Sequence, residues 1–389
     1  MANYRNIISH GDAEVLQPEQ EILDGIVTGI VKSSKILPLM NRLRDGSSSS
    51  ATMTVVDGLP LTYFVDEGIN NGLKQTTKMA WKNKKIFYEE IASIIVMKQN
   101  DFDDAKTNIW EQAKPLLIQD SQRLLDEAIL TGRGKPATWR EGLIPSIINA
   151  GKSVAPNTNN TYTQISKAMS AVEASGYEVS GIIGGVQMKG EFREGLLDQT
   201  GQPLNPTSEV MQLNRVFVDN GAWDNSLAKF IVGDLSQAVY SVRKDHTFEV
   251  FNTGVITDAD GNVIHNLMQE DLIAIRYTFR FGWEIPNPVN ILDSGETRFP
   301  FALVENTAPA TTYEVEITVN DGEGTPLQNA KVSLGGITKK TNSSGIATFK
   351  SLGNTSSLFK ADLAGYYTGY GEVKVETSSA SATVVLNKK

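Results

Sequence analysis

The chain has 389 residues, 40% of them apolar and 21% charged, ordinary proportions for a globular protein of two or three domains. A net charge of −9 and a pI near 5.1 argue against gripping nucleic acid by phosphate neutralisation, but not against an acidic wall that encloses it. There is no cysteine and the imidazoles are limited to His10, His246 and His265, so disulfides and thiolate chemistry are excluded and a histidine-based metal or acid–base site has little to draw on.

No apolar run approaches the roughly 18 residues of a membrane span. The opening MANYRNIISHGDAEV lacks the basic and apolar regions of a signal peptide, so folding in the cytoplasm is expected. Residues 1 to 17 show no period and read as an extended arm. From Pro18, the spacing of Ile22, Leu23, Ile26, Val27, Ile30 and Val31 predicts a helix, with Gly25 and Gly29 weakening its other face. Pro38 ends that stretch, and Asp45 to Ser50 (DGSSSS) is flexible punctuation.

Residues 51 to 98 read as strands, with ATMTVVDG and PLTYFVDEG as short β-branched and aromatic runs bounded by glycine. Lys74, Lys78, Lys82, Lys84 and Lys85 follow in a polar, basic stretch. They are either a solvated hairpin face or a protruding hairpin that lies on an acidic neighbour, its register set by charge. Ile86 to Met97 returns to a buried strand or helix. It leads into Asp104 to Leu130, where Ala105, Ile109, Ala113, Leu116, Leu117, Leu124 and Ala128 predict one buried helix face. Asp101, Asp103 and Asp104 suit the positive end of the helix dipole, and Gly132 and Gly134 supply the stop. Pro115 should kink this rod or split it in two.

Gly151-Lys152-Ser153 invites a phosphate-loop reading, but the loop needs a glycine where Ser146 stands, and no strand precedes it. Residues 163 to 304 predict a second α/β unit: helices at Gln164–Ala174 and Gln187–Leu197, and strands at Val179–Gly185, Thr247–Val255 and Asp271–Phe281. Between them, Leu227–Tyr240 gives a strand, KFIVGD, and a short helix. Asp258 to Asn262 (DADGN) resembles a fragment of a calcium loop but lacks its remaining acidic positions, and a hairpin turn explains it better. After the small-residue linker ENTAPATT, the composition changes to threonine, serine and alternating strands: YEVEITV, AKVSLGG, IATFKSL, EVKVE and ATVVL. Turn signals separate them, the pattern of a small β-sandwich and a separate domain.

Taken in order, residues 18 to 304 resemble the tailed-phage major capsid protein family, with the Hong Kong 97 fold. The resemblance is carried by PEQEILDGIVTGIV, by FVDEG at Phe64 to Gly68, and by KQTTKMAWKNKKIFYEE at Lys74 to Glu90, which is similar to the return strand of the family's extended loop. It continues through AILTGRG at Ala128 to Gly134, which resembles the end of the spine helix, through Glu141-Gly142-Leu143, and through Asp198 to Leu204 after the GIIGG strand. The tail resembles immunoglobulin-like or carboxypeptidase-regulatory-like sandwich modules through Gly324–Val332, Thr341–Phe349 and Ala364–Tyr367. Such a module is either a structural ornament or a weak carbohydrate or host-surface binder.

The resemblance implies an α+β capsid fold with a C-terminal all-β sandwich. Its divisions would be an N-terminal arm and helix (1–50), extended loop and peripheral strands (51–98), spine helix (99–145), axial domain with a return to the peripheral one (146–304), linker (305–312) and immunoglobulin-like sandwich (313–389). It further implies a structural protein with no cofactor, metal or catalytic site. Assembled in the host cytoplasm from hexamers and pentamers, it would enclose double-stranded DNA in a virion without sequence-specific binding or membrane contact. A portal and, with no long charged segment ahead of the arm, a separate scaffolding protein or assembly without one are implied. Lys74, Lys78, Lys82, Lys84 and Lys85 are the candidate inter-subunit contacts, with Lys82, Lys84 and Lys85 favoured for the charged ones; the family's lysine–asparagine cross-link is not carried over. A bacterial nanocompartment shell is the alternative on the same fold, a surface adhesin or carbohydrate binder the alternative of another class, and an enzyme the weakest.

Overall fold

The computed structural model describes residues 33–65, 73–74, 76–104, 109–156, 161–194, 213–293, 295, 298–306 and 312–389. The expected arm, the helix after Pro18, residues 66–72 of the lysine-bearing loop, the Asp198–Leu204 segment and most of the linker lie outside these.

After a 3-10 turn at Leu37–Leu39 come β1 (Asn41–Arg42), β2 (Ser50–Gly58), β3 (Ala80–Phe87), β4 (Glu89–Lys98), α1 (Gln99–Asp104) and α2 (Ile109–Thr131). Next are α3 (Leu143–Asn149), β5 (Ser153–Val154), α4 (Thr161–Glu173), β6 (Gly181–Gly185), α5 (Met188–Glu194), β7 (Asn214–Val218) and β8 (Phe230–Gly233). A 3-10 turn at Leu235–Gln237 precedes β9 (Val239–Phe251), β10 (Val255–Thr257), β11 (Val263–Asn266), β12 (Leu272–Glu284) and β13 (Phe301–Val304). The C-terminal part adds β14 (Thr312–Asp321), β15 (Lys331–Leu334), β16 (Ile337–Lys340), β17 (Ile346–Leu352), β18 (Thr355–Asp362), β19 (Gly369–Val375) and β20 (Ala380–Leu386).

Among the described residues the chain forms two compact units, one from 88–122 and 242–281, the other from 34–87, 123–241 and 282–389. In the first, β4 pairs antiparallel with β12, from Lys98 opposite Leu272 to Glu89 opposite Phe281. Both strands are β-branched and aromatic, and Met97 and Ile275 pack with Ile109 and Trp110 of α2. The DADGN stretch is a hairpin turn between β10 and β11, with Asp258 accepting N–H bonds from Asp260 and Asn262 and Gly261 at φ +84°.

In the second unit the sheet runs β5-β13-β8-β6-β7. Ile165, Ala168 and Val172 recur at helical spacing on α4 and pack on Ile182, Phe230, Val232, Ala302 and Val304 of that sheet. The C-terminal residues form two sheets, β17-β14-β20 and β16-β15-β18-β19. They close over a core of Val315, Ile317, Val319, Val332, Phe349, Phe359 and Val373. Its first and last strands lie side by side, β14 parallel to β20. The strands β16 and β18 escape the sequence reading because β16 is only ITKK and β18 turns Thr355 and Ser357 inward and Leu358 outward, against the usual apolar alternation.

Three expectations change. α2 is not split at Pro115, which is exposed near its start, where only the carbonyl of Glu111 loses an intrahelical donor. The predicted buried face is interrupted at the same place, since Leu116 is exposed while Ile109, Trp110, Leu125, Ala128, Ile129 and Leu130 are buried. Leu61 to Val65, read as strand, is irregular and exposed: an alternating pattern makes a strand only with a partner to bond, and these residues have no ladder.

Two contacts fix the end of α2. Gly132 leaves the helix at φ +79° with its N–H on the carbonyl of Ala128, and Gly142 comes so near that a Cβ there would lie 2.4 Å from the nitrogen of Gly132. This is why TGRG and EGL are paired in the sequence. Asp126, fully buried, accepts from the hydroxyl of Ser34 at 2.5 Å, the amide of Asn220 at 2.7 Å and the N–H of Lys35 at 3.3 Å. Burial pushes its carboxyl up to about 6, with those three donors pulling the other way.

Gly142→Ala should cost about 1–3 kcal/mol by forcing the two turns apart, read as a lowered midpoint in thermal unfolding. Because the folded carboxyl of Asp126 binds its proton more tightly than the unfolded one, its contribution to stability is largest at acid pH and is lost as pH rises from 3.8 to about 6. Urea unfolding of wild type and Asp126→Asn at pH 7 and pH 4 should therefore show wild type gaining up to about 3 kcal/mol relative to the variant on acidification. Parallel pH profiles for the two proteins would contradict it.

Candidate functional site

β2 and β3 make an antiparallel hairpin, from Ser50 opposite Phe87 to Gly58 opposite Ala80. Strand alternation turns Val55 and Ile86 inward, where both are buried. The same alternation separates the candidate lysines. Lys82 and Lys84 share the face of Ile86, and Lys85 points to the other side. Lys82 pairs with Asp57 across the hairpin at 2.6 Å. Lys84 is half-buried and donates to the carbonyl of Ile285 at 2.8 Å, and burial pulls its ammonium down to about 8 against the raising effect of Glu284. Lys74, Lys78 and Lys85 are exposed. Around them large apolar side chains are open to solvent: Leu61, Leu73, Trp81 and Phe64, the last 98% exposed.

Behind the hairpin, residues 135–149 carry a polar cluster that sequence reasoning named only in part, as Glu141-Gly142-Leu143. Lys135 is buried and donates to the carbonyl of Ser356 at 2.8 Å and the hydroxyl of Ser357 at 2.9 Å. Its Nζ lies 3.6 Å from Glu141, whose Oε1 also accepts from Ser357. Burial lowers the pKa of Lys135, with Glu141 opposing. Main-chain bonds surround this pair: Glu141 N–H to Gly335 at 2.9 Å and Leu358 N–H to Ala137 at 3.2 Å. A Cβ on Gly335 would lie 2.1 Å from Cγ of Glu141, so only glycine fits there. Asn149 bonds both main-chain groups of one residue, its amide donating to Lys350 O at 2.7 Å and its carbonyl accepting from Lys350 N–H at 2.8 Å. The C-terminal sheets are thus fastened to residues 135–149 by buried bonds as well as by the linker. The signal in the sequence was a run of charged and polar residues, KPATWREG, inside otherwise apolar surroundings.

Arg140 lies in the same stretch, bonded to Glu284 at 2.8 Å and set over the ring of Trp283. Trp139 donates its indole N–H to Phe87 O at 3.1 Å and so ties the loop to the hairpin's base.

The two described histidines serve packing. His246 stacks on Phe279 with ring centroids 4.3 Å apart and bonds Tyr277, and His265 pairs with Glu270 at 3.2 Å. Lys152 of the GKS stretch donates to Ala171 O at 3.1 Å, a helix C-terminal carbonyl. Among the described residues no group of three His, Cys, Asp or Glu is arranged to hold a metal ion, and no helix is long and apolar enough to cross a membrane. What the arrangement offers is surface: a hairpin with exposed lysines and apolar side chains, braced from behind by buried ion pairs.

The sequence matches the phage capsid family over residues 17–291, ending before β14. A solved structure from Microbacterium phage Oxtober96 is similar at 30% identity and a TM-score of 0.66, covering 77% of this chain and 99% of that one. One from Mycobacterium phage Adephagia shares 22% identity at a TM-score of 0.65, over 79% of this chain and 99% of its own. The capsid of a native GTA particle has the same fold at 14% identity and a TM-score of 0.52, over 77% of this chain and 98% of its own. No curated protein sequence matches. The family match over most of the chain, and the fold it shares with these structures, place this chain in the phage capsid family, as a major capsid protein of the virion.

Proposed function

We propose that many copies of this chain tile a closed icosahedral shell, as hexamers and pentamers, around double-stranded DNA, with the C-terminal sandwich displayed on the outside as an immunoglobulin-like module. The observation that carries the assembly reading is the exposure along the stretch 61–85: Leu61, Phe64, Leu73 and Trp81 are open to solvent, as are Lys74, Lys78 and Lys85, a combination costly to leave in water and suited to lying on an acidic, partly apolar neighbour. Lys82 and Lys84 have partners within the chain, so the three exposed lysines are the better contacts to test. The net charge of −9 keeps the shell wall from adhering to the nucleic acid it encloses. The buried bonds of Lys135, Glu141 and Asn149 support a sandwich held in one orientation on each subunit. A portal, assembly with a separate scaffolding protein or without one, and a sandwich that is either a structural ornament or a weak carbohydrate or host-surface binder complete the reading.

Charge reversal at Lys74, Lys78 and Lys85 to glutamate should block shell formation and leave a folded subunit, seen as the loss of polyhedral particles in electron micrographs with an unchanged circular-dichroism spectrum. Normal particles from that variant would sink the hairpin's role, and particles filled with protein in place of DNA would sink the phage reading. Lys135→Met leaves Glu141 buried without its cation and should destabilise the subunit by about 3–5 kcal/mol. The measurement is urea unfolding, together with faster proteolytic cutting in residues 305–312 if the sandwich loosens.

A further inference from the structure

Lys84, Arg140 and Arg298 line one small cavity of about 20 Å³, room for a single water-sized occupant. They arrive from separate parts of the sequence: β3, the loop before α3 and the segment before β13. Arg140 and Arg298 are 5% and 4% exposed. Among the described residues, Glu284 is the carboxylate paired here, through its bond to Arg140, and it also takes the N–H of Ile285 at 2.8 Å. The adjoining carboxylate, Glu141, is engaged by Lys135. Four cations therefore meet two carboxylates.

The donors are also incompletely used. Arg298 gives its two terminal nitrogens to Gly295 O at 2.9 Å and Asn287 O at 2.8 Å, while its Nε is buried with no hydrogen-bond partner. Lys84 spends one of three protons on Ile285 O. An orphaned buried guanidinium N–H beside two positive charges without a paired carboxylate is costly unless an anion joins them.

We propose that this cavity binds a small monovalent anion of chloride size, held by Lys84, Arg140 and the Nε–H of Arg298. Its cluster of positive charge disfavours a neutral water and favours a small anion. The ion would act as a strut between the base of the hairpin, the segment before β13 and the β15–β16 turn, whose Gly336 and Ile337 also line the cavity.

The test is thermal unfolding of the full-length protein in sodium chloride and in sodium gluconate at one ionic strength and pH 7. Chloride should raise the midpoint saturably, by about 2–4 °C, and the rise should vanish in Lys84→Met. Crystals grown in bromide should show an anomalous peak between the three side chains, which decides the matter if Lys84→Met does not fold. Equal midpoints in the two salts for wild type, a chloride effect undiminished in Lys84→Met, or no bromide peak would each overturn the proposal. The first of these is also the result expected if a carboxylate from a second copy fills the space.

Discussion

A buried ammonium must be met by oxygen and by charge, and the way Lys135 is met organises the second unit. Its three protons leave little choice of direction, and the groups that satisfy them come from both the loop before α3 and the strand β18. Ser357 stands between the two ions, accepting from one and donating to the other. Such a pair adds little net stability over an apolar contact, because desolvation offsets most of the Coulomb attraction. What it adds is position. An apolar interface of the same size could slide, whereas this one has one arrangement in which the ammonium of Lys135 meets its oxygen partners.

Arg140 and Trp139 extend the constraint forward. Arg140 is anchored to Glu284 at the end of β12, and Trp139 to the carbonyl of Phe87 at the end of β3. The loop between α2 and α3 is therefore the place where spine, hairpin and C-terminal sheets are mutually indexed, and the close approach of Gly132 and Gly142 fixes its two ends. For a capsid subunit this separates labour: the interior of the unit is set by charge and hydrogen bonding, while apolar side chains such as Phe64 and Trp81 are left at the surface, where another copy can cover them.

Much of this was legible in the sequence, and the failures have physical causes. Periodicity located α2 and α4, because Ile165, Ala168 and Val172 face a core that rewards helical spacing. Glycine at positive φ announced the end of α2 and the β10–β11 turn. Leu61 to Val65 misled because composition does not say whether a partner strand exists. The charge run favoured Lys82, Lys84 and Lys85, although counting by twos from Ile86 assigns Lys82 and Lys84 to the inner face. The cluster of Lys135, Glu141 and Ser357 was beyond sequence reasoning, since it joins positions more than two hundred residues apart that become neighbours only once β18 is in place.

The bonds of Asn149 to Lys350 have one more effect. β17 is the edge strand of its sheet, and an edge presents free N–H and C=O groups to any passing strand. The side-chain amide of Asn149 copies a peptide group and occupies that edge at its middle, while α3 beneath it keeps a rival strand from approaching. A shell would hold many of these sandwiches at high local concentration, and an edge plugged from within its own subunit is closed to a strand from another copy.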